Sequence, residues 1–173
     1  MLHHIRRYAP IGISLFAAAV FLDSLRYKFT DHPNTQEIFG RLDAWAASLG
    51  APGLFGHTGL FSQYLIGSAE LAASALLLIG LAPRFARLNA LGALIGLAVM
   101  TGAVSFHLFT PLGIDPNNDG GGLFAAAVTI WVGTIGLLII RRAELIGLAR
   151  DLARAFVPAS PAQAARAGAP AHA

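Results

Sequence analysis

The stretch Gly121–Ile140, GGLFAAAVTIWVGTIGLLII, contains no charged residue. At a rise of about 1.5 Å per residue, a helix of this length crosses a bilayer's hydrocarbon core, which is about 30 Å thick. Three further apolar stretches of comparable length precede it in the chain: Pro10–Phe29, Leu60–Ala82 (interrupted by Glu70) and Leu88–Phe109. Four such stretches predict an integral membrane protein with four helical spans.

The composition favours the same class. The chain has 173 residues, of which 55% are hydrophobic and 12% charged, with a mean hydropathy of +0.63. Soluble domains carry about 25% charged residues, so this composition argues against a soluble enzyme and against disorder over most of the chain. We predict an all-α fold, a transmembrane four-helix bundle over residues 1–142, which the lipid bilayer surrounds.

The first apolar stretch has an alternative interpretation. Arg6 and Arg7, an apolar core and the small residues Ala17–Ala19 would also suit a cleaved signal peptide. Because the stretch continues through Val20–Leu22, we interpret it as a retained membrane anchor.

The basic residues predict the orientation of the spans. Eight of the 12 Lys and Arg residues flank the spans on the side of the N-terminus: Arg6, Arg7, Arg84, Arg87, Arg141, Arg142, Arg150 and Arg154. Three lie on the other side: Arg26, Lys28 and Arg41. The positive-inside rule therefore predicts that both termini of this multi-pass protein are cytoplasmic. We expect the membrane to be a bacterial-type cytoplasmic (inner) membrane. No basic run is interleaved with aromatic residues, so we expect no nucleic-acid partner despite the net charge of +3.

Two amphipathic helices are predicted outside the spans. The first follows Pro33 and carries apolar residues at helical spacing, which would lay it on the outer membrane surface: Ile38, Leu42, Trp45 and Leu49. The second covers residues 143–157 as a cytoplasmic amphipathic helix, with its own apolar face: Leu145, Leu148, Leu152 and Phe156. Residues 158–173 contain mainly Ala, Pro, Gly and isolated polar residues, which predicts a disordered tail.

Several ionisable residues fall within or beside the apolar stretches, where a central charge costs about 2.5–3.5 kcal/mol. With the predicted orientation, all of them approach the outer leaflet: Asp23, Arg26, Lys28, Glu70, His107 and Asp119. We expect Glu70 to pair with Arg26 or Lys28, and His107 to pair with Asp23 or Asp119.

Helical phase supports this convergence. A polar stripe on the second span consists of Gln63, Gly67, Glu70 and Ser74. One face of the third span consists of Asn89, Ala93, Gly96, Met100, Ala103 and His107. Gly92 and Gly96 form a small-xxx-small pair that allows a close approach to a neighbouring helix.

Each of these residues also has a purely structural interpretation. Arg26 and Lys28 could extend to the lipid headgroups, Glu70 could be an ion-pair partner only, and His107 could be an interfacial residue without a role. His32 and His57 show no ligand spacing, so no metal site is predicted. The run from Asp119 to Gly122 lacks the remainder of a phosphate-binding loop, and we interpret Asp119 as a helix cap.

The order of these motifs resembles that of the DoxX-like family of membrane proteins. The resemblance rests on LRYKFT at the end of the first span, GSAEL in the second, HL closing the third, DGG before the fourth and RR after it. It implies a four-helix membrane bundle. Relatives include the large subunit of a thiosulfate:quinone oxidoreductase and proteins that act with superoxide dismutase and thiol-handling proteins under oxidative stress.

By position, the resemblance implies that the family-like polar residues are Lys28, Glu70, His107 and Asp119, with Arg26 a further candidate. This chain departs from the family in its longer segment after His107, residues 110–116. It also contains no cysteine, so it cannot relay thiols itself, and its electrons would come from a partner protein.

The leading hypothesis is a redox-associated membrane subunit that works with a partner oxidoreductase. An outer-leaflet polar pocket would bind a quinone or a similar small molecule through Arg26, Lys28, Glu70, His107 and Asp119. The candidate catalytic residues are His107, which would exchange a proton while Asp119 orients it, and Glu70. The alternatives are a non-catalytic scaffold subunit and a small-solute or proton transporter, for which a homo-oligomer could supply the missing machinery.

Overall fold

The computed structural model describes the backbone of residues 2–156 and the side chains of residues 8–156. Over that part the chain is all-α, as predicted, and contains no strand. The helices are α1 (Leu2–Lys28), α2 (Pro33–Ser48), α3 (Gln63–Ile79), α4 (Ala86–Phe109), α5 (Gly122–Ile140) and α6 (Arg142–Phe156), with a 3-10 turn at Pro83–Phe85. The predicted disordered tail, 158–173, lies outside the described residues.

Three segments of the described chain are long and apolar enough to cross a membrane: Tyr8–Lys28, Pro83–Phe109 and Gly122–Ile140. The predicted second span, Leu60–Ala82, is shorter than expected, because α3 has only 17 residues. Ser62 caps its start by accepting a hydrogen bond from the Leu65 N–H, and Gly80 forms its C-cap. Length and composition therefore support three spans, and the fourth stays a prediction.

The core lies where α1, α3, α4 and α5 meet. Its buried members come from all four helices: Ala17, Phe21, Ala73, Leu77, Ala93, Met100, Ala127, Ile130 and Leu137. Small residues let α3 and α4 approach closely, since a Cβ on Gly92 would lie 2.8 Å from the Leu77 nitrogen. The contact at Gly80 is closer still, because a Cβ there would lie 2.1 Å from the Asn89 nitrogen. The sequence indicated the role of Gly92 and missed that of Gly80.

A buried asparagine joins the helices near the end where α6 begins, which we call the α6 end. Asn89 donates hydrogen bonds to Ser14 Oγ and to the Leu77 carbonyl, both at 2.9 Å. Its own amide oxygen accepts a hydrogen bond from Arg141 Nε at 3.3 Å. One side chain of α4 thus binds α1, α3 and the junction of α5 with α6.

The helix α2 covers the opposite end of these helices, which we call the α2 end. His32 caps it, because its Nδ1 accepts a hydrogen bond from the Asn34 N–H at 3.2 Å. Its buried face packs on the connecting loops in a second cluster: Leu42, Ala46, Phe55 and Leu112. The predicted helix is present, but Leu49 is the exposed C-cap rather than a member of the apolar face.

The amphipathic helix α6 begins at Arg142, directly after α5, close to the predicted boundary at 143. Arg87 of α4 binds Asp151 of α6 with an Nη1–Oδ2 distance of 2.7 Å. Of the predicted apolar face, Leu145 and Leu148 are half-buried, whereas Leu152 and Phe156 are exposed, as is Ile146. Exposure of these residues is the pattern expected of a helix lying on a membrane surface.

We expect Gly92→Ala to lower the melting temperature in detergent by several degrees. The added Cβ meets backbone atoms of α3, and overpacking of this kind costs about 1–3 kcal/mol. Gly136→Ala is the matched control, since a Cβ on Gly136 would meet nothing within 4 Å. Equal melting temperatures for the two variants would show that α3 and α4 are not in close contact.

Candidate functional site

A cavity of about 640 Å³ lies at the α2 end. Small-molecule sites in proteins commonly have volumes of about 300–1,000 Å³. Apolar residues of the core form part of its wall: Phe21, Met100, Ala127 and Ile130. Helix α2 adds Thr35, Ile38 and Leu42. The polar groups of the wall include Asp23, Ser24, Lys28, Glu70, His107 and Asp119. The structure thus brings the predicted polar residues together, with the exception of Arg26.

The charge pair Lys28–Glu70 joins α1 to α3 in the wall of the cavity. Lys28 Nζ lies 3.0 Å from Glu70 Oε2 and 3.1 Å from Oε1. The Ser24 hydroxyl donates to Glu70 Oε2 at 3.1 Å, and Lys28 also donates to Ser24. Only 14% of the lysine side chain and 4% of the glutamate side chain are exposed. Of the two pairings that the sequence left open for Glu70, the structure contains the one with Lys28.

The predicted stripe on α3 explains how this pair is held. Gln63, Gly67, Glu70 and Ser74 are all buried. Gly67 allows a close approach, because a Cβ there would lie 3.3 Å from the Phe29 ring, a tight contact, and 3.5 Å from Lys28 Cδ. The missing side chain lets the end of α1 lie against α3, which places Lys28 beside the glutamate.

Arg26 lies outside the cavity, contrary to its expected place in the site. Its guanidinium pairs with Asp23 at 2.8 Å, and both side chains are more than half exposed. At about 100° per residue, position 26 lies about 200° around the helix from positions 24 and 28. The same helical phase that brings Ser24 and Lys28 to the cavity therefore turns Arg26 away from it.

His107 does not pair with Asp23 or Asp119 as expected. Its Nδ1 lies 2.6 Å from the Gly113 carbonyl oxygen, and its ring packs on Phe124 with centroids 5.5 Å apart. The loop after α4 folds back through Gly113, whose positive φ of 71° is accessible to glycine at little cost. A glycine in this loop signals a turn, but the sequence does not show which carbonyl meets the imidazole.

Asp119 caps α5, as its sequence context predicts. Its carboxylate accepts hydrogen bonds from the Gly121 N–H at 3.0 Å and the Leu123 N–H at 2.8 Å. These bonds favour the charged form, and the one from Leu123 contributes most to lowering the pKa of Asp119 below its usual range. Because the carboxylate is directed at the start of α5, it does not orient His107.

A second polar cluster beside the cavity was not foreseen. Gln63 Nε2 donates to the Lys28 carbonyl at 2.7 Å and to Asp31 Oδ1 at 2.5 Å. Tyr64 donates its hydroxyl to the same Asp31 oxygen at 2.7 Å. These bonds fasten the turn after α1 to the first turn of α3. Asp31 adopts a φ of +52° in this turn. The sequence indicates the turn only through the turn-forming residues TDHPN, and it does not indicate the contacts of Asp31.

Comparisons with family models, with curated proteins and with solved structures found no match to this chain. Within the described residues, no group of three or more His, Asp or Glu side chains could hold a metal ion. The cavity combines an apolar wall with an ammonium–carboxylate pair, an imidazole and a carboxylate. This combination suits a small amphipathic molecule with one polar end.

We expect Glu70→Gln to destabilise the protein by about 3 kcal/mol, because the substitution leaves the Lys28 ammonium buried without a counter-charge. Thermal unfolding in detergent at neutral pH measures the loss. Glu37→Gln is the control: it breaks an ion pair with Arg41 whose side chains are about half exposed, which costs about 0.5 kcal/mol. The same small effect for both variants would mean that Glu70 is solvated rather than paired inside the bundle.

Proposed function

We propose that the chain is a multi-pass membrane protein in which α1, α3, α4 and α5 all cross the bilayer as a four-helix bundle. Three of these segments meet the length and hydropathy needed for a span. The 17 residues of α3 reach the lower limit of about 17 for a spanning helix. Its polar stripe is buried, whereas large apolar side chains cover its outside: Leu65, Leu71, Leu78 and Ile79. Polar residues inside and apolar residues outside are the arrangement that lipid demands.

In this proposal the α2 end faces away from the cytoplasm, and both termini are cytoplasmic. The eight basic residues at one set of span ends, against three at the other, support that orientation. The membrane would be a bacterial-type inner membrane.

The cavity at the α2 end would bind a quinone or a similar small amphipathic molecule. The observation that carries this proposal is a cavity of about 640 Å³ with an apolar wall and the polar groups of Lys28, Glu70, His107 and Asp119. Since the chain has no cysteine, electrons would come from a partner oxidoreductase. The motif order that resembles DoxX-like proteins is in keeping with such a role.

A non-catalytic scaffold is the second candidate, and one observation favours it. Within the described residues, every fully buried polar side-chain atom has a hydrogen-bond partner. The Lys28–Glu70 pair could therefore serve only to hold α1 against α3. The two functions differ in whether the cavity accepts a ligand.

We expect the purified protein to bind a short-chain alkyl benzoquinone, and Ala126→Phe to weaken that binding about tenfold. Ala126 lines the cavity, so the added ring occupies ligand space. Quenching of tryptophan fluorescence would report binding, since Trp45 packs against Phe106 of the cavity wall.

Ala125→Phe is the matched control for this experiment. Ala125 is exposed and does not line the cavity, so the affinity of this variant should equal that of the wild type. Absence of binding to all three proteins would favour the scaffold, and equal binding to all three would place the quinone elsewhere.

We expect Thr58→Cys and Ala82→Cys to be labelled from opposite sides of the membrane. Both residues are exposed, in the connections before and after α3, and the chain has no native cysteine to give a background. A membrane-impermeant maleimide should label Thr58→Cys in intact cells and Ala82→Cys only after permeabilisation. Labelling of both from one side would show that α3 does not cross the bilayer.

A further inference from the structure

The hydrogen bond of His107 defines which of its ring nitrogens carries the proton. A carbonyl oxygen can only accept a hydrogen bond, so the Nδ1 atom that lies 2.6 Å from the Gly113 oxygen must be the donor. In the neutral imidazole the proton is then on Nδ1, and Nε2 holds a lone pair. The loop backbone thereby selects one tautomer.

The Nε2 atom of His107 has no hydrogen-bond partner among the described residues, where the bond to Gly113 is the ring's only one. Every fully buried polar side-chain atom in that part of the chain does have a partner. Nε2 is therefore not fully buried, and His107 forms part of the cavity wall. The neutral ring offers that cavity a hydrogen-bond acceptor.

The neighbouring polar groups do not replace this acceptor. The carboxylate of Asp119 is occupied by the N–H groups of Gly121 and Leu123. The carboxylate of Glu70 already accepts bonds from Ser24 and Lys28. Asp23 also lies in the wall, but it pairs with Arg26 and more than half of its side chain is exposed. Among the buried titratable groups of the described wall, His107 is the one with an acceptor atom, Nε2, that has no partner.

We propose that the ligand presents a hydroxyl group to His107 Nε2, so that the site recognises a phenol or hydroquinone in preference to the corresponding quinone. Because a quinone oxygen has no hydrogen to donate, it would face the lone pair of Nε2 without forming a hydrogen bond. The proposal rests on the proposed ligand-binding function, since it assigns the chemical class of that same ligand.

The first test reads the tautomer directly. Nitrogen-15 NMR of the protein labelled at its histidines, with His107→Phe to assign the signal, should show a proton on Nδ1 and a lone pair on Nε2. A proton on Nε2, in either the neutral or the doubly protonated ring, would overturn the proposal, because Nε2 would then be a donor.

The second test compares 4-nonylphenol with 4-nonylanisole and nonyl-1,4-benzoquinone, which share the same apolar tail. Loss of one hydrogen bond to a ligand corresponds to about tenfold in affinity. We expect the phenol to bind the wild type about tenfold more tightly than the anisole or the quinone. His107→Phe, which keeps a ring beside Phe124 but has no hydrogen-bond acceptor, should remove most of this preference. His57→Ala, at a histidine in the loop outside the cavity, should retain it.

The outcomes separate this inference from the proposed function. Equal binding of the three compounds, or tighter binding of the quinone, would overturn the preference for a hydroxyl while leaving a ligand-binding cavity in place. A preference that persists unchanged in His107→Phe would place the hydroxyl at another residue. Binding of none of the compounds would overturn the proposed function itself.

Discussion

The arrangement of the helices depends on one constraint: a charged side chain within an apolar core must have a counter-charge. Glu70 lies midway along the most polar face of α3, and Lys28 from the last turn of α1 supplies its partner at 3.0 Å. Removing one member would leave the other buried and unpaired, at a cost of several kcal/mol. The pair therefore fixes the register of α1 against α3, and with it the shape of the space between them and α4.

Polar contacts at two levels hold the four core helices, with apolar packing between the levels. At the α6 end, Asn89 binds Ser14, the Leu77 carbonyl and Arg141. At the α2 end, the Lys28–Glu70 pair and the cluster around Asp31 join α1 to α3. The cavity lies at the α2 end, under α2, where His107 and Asp119 contribute to its wall. Its polar groups are preorganised by contacts that exist without a ligand, which lowers the cost of binding.

Much of this architecture could be predicted from the sequence, because periodicity reports which side of a helix is buried. The buried stripe of α3 and the pairing of Glu70 with a cation of α1 follow from the spacing of polar residues. The choice of Lys28 over Arg26 does not, since both lie near the end of α1 and only the rotation of that helix against α3 decides between them. The short α3 depends on the cap at Ser62, which hydropathy does not report.

The sequence did not predict the contacts that backbone atoms make. The carbonyl of Gly113 meets His107 because of a loop conformation, and sequence patterns encode loop conformations only weakly. The partners of Asn89 are a carbonyl, a serine and an arginine from three separate segments. An asparagine in an apolar helix signals that it needs partners, but the sequence does not say which.

Lys28 and Glu70 are in direct contact where α1 packs against α3. A charge-reversal cycle measures this contact: Lys28→Glu, Glu70→Lys and the combined variant are compared by thermal unfolding in one detergent. Each single reversal places two like charges together, whereas the combined variant restores an attractive pair. We expect the combined variant to recover about 2 kcal/mol relative to the sum of the single losses. Strictly additive losses would show that the two side chains are not in contact, because residues that do not touch have no interaction energy to regain.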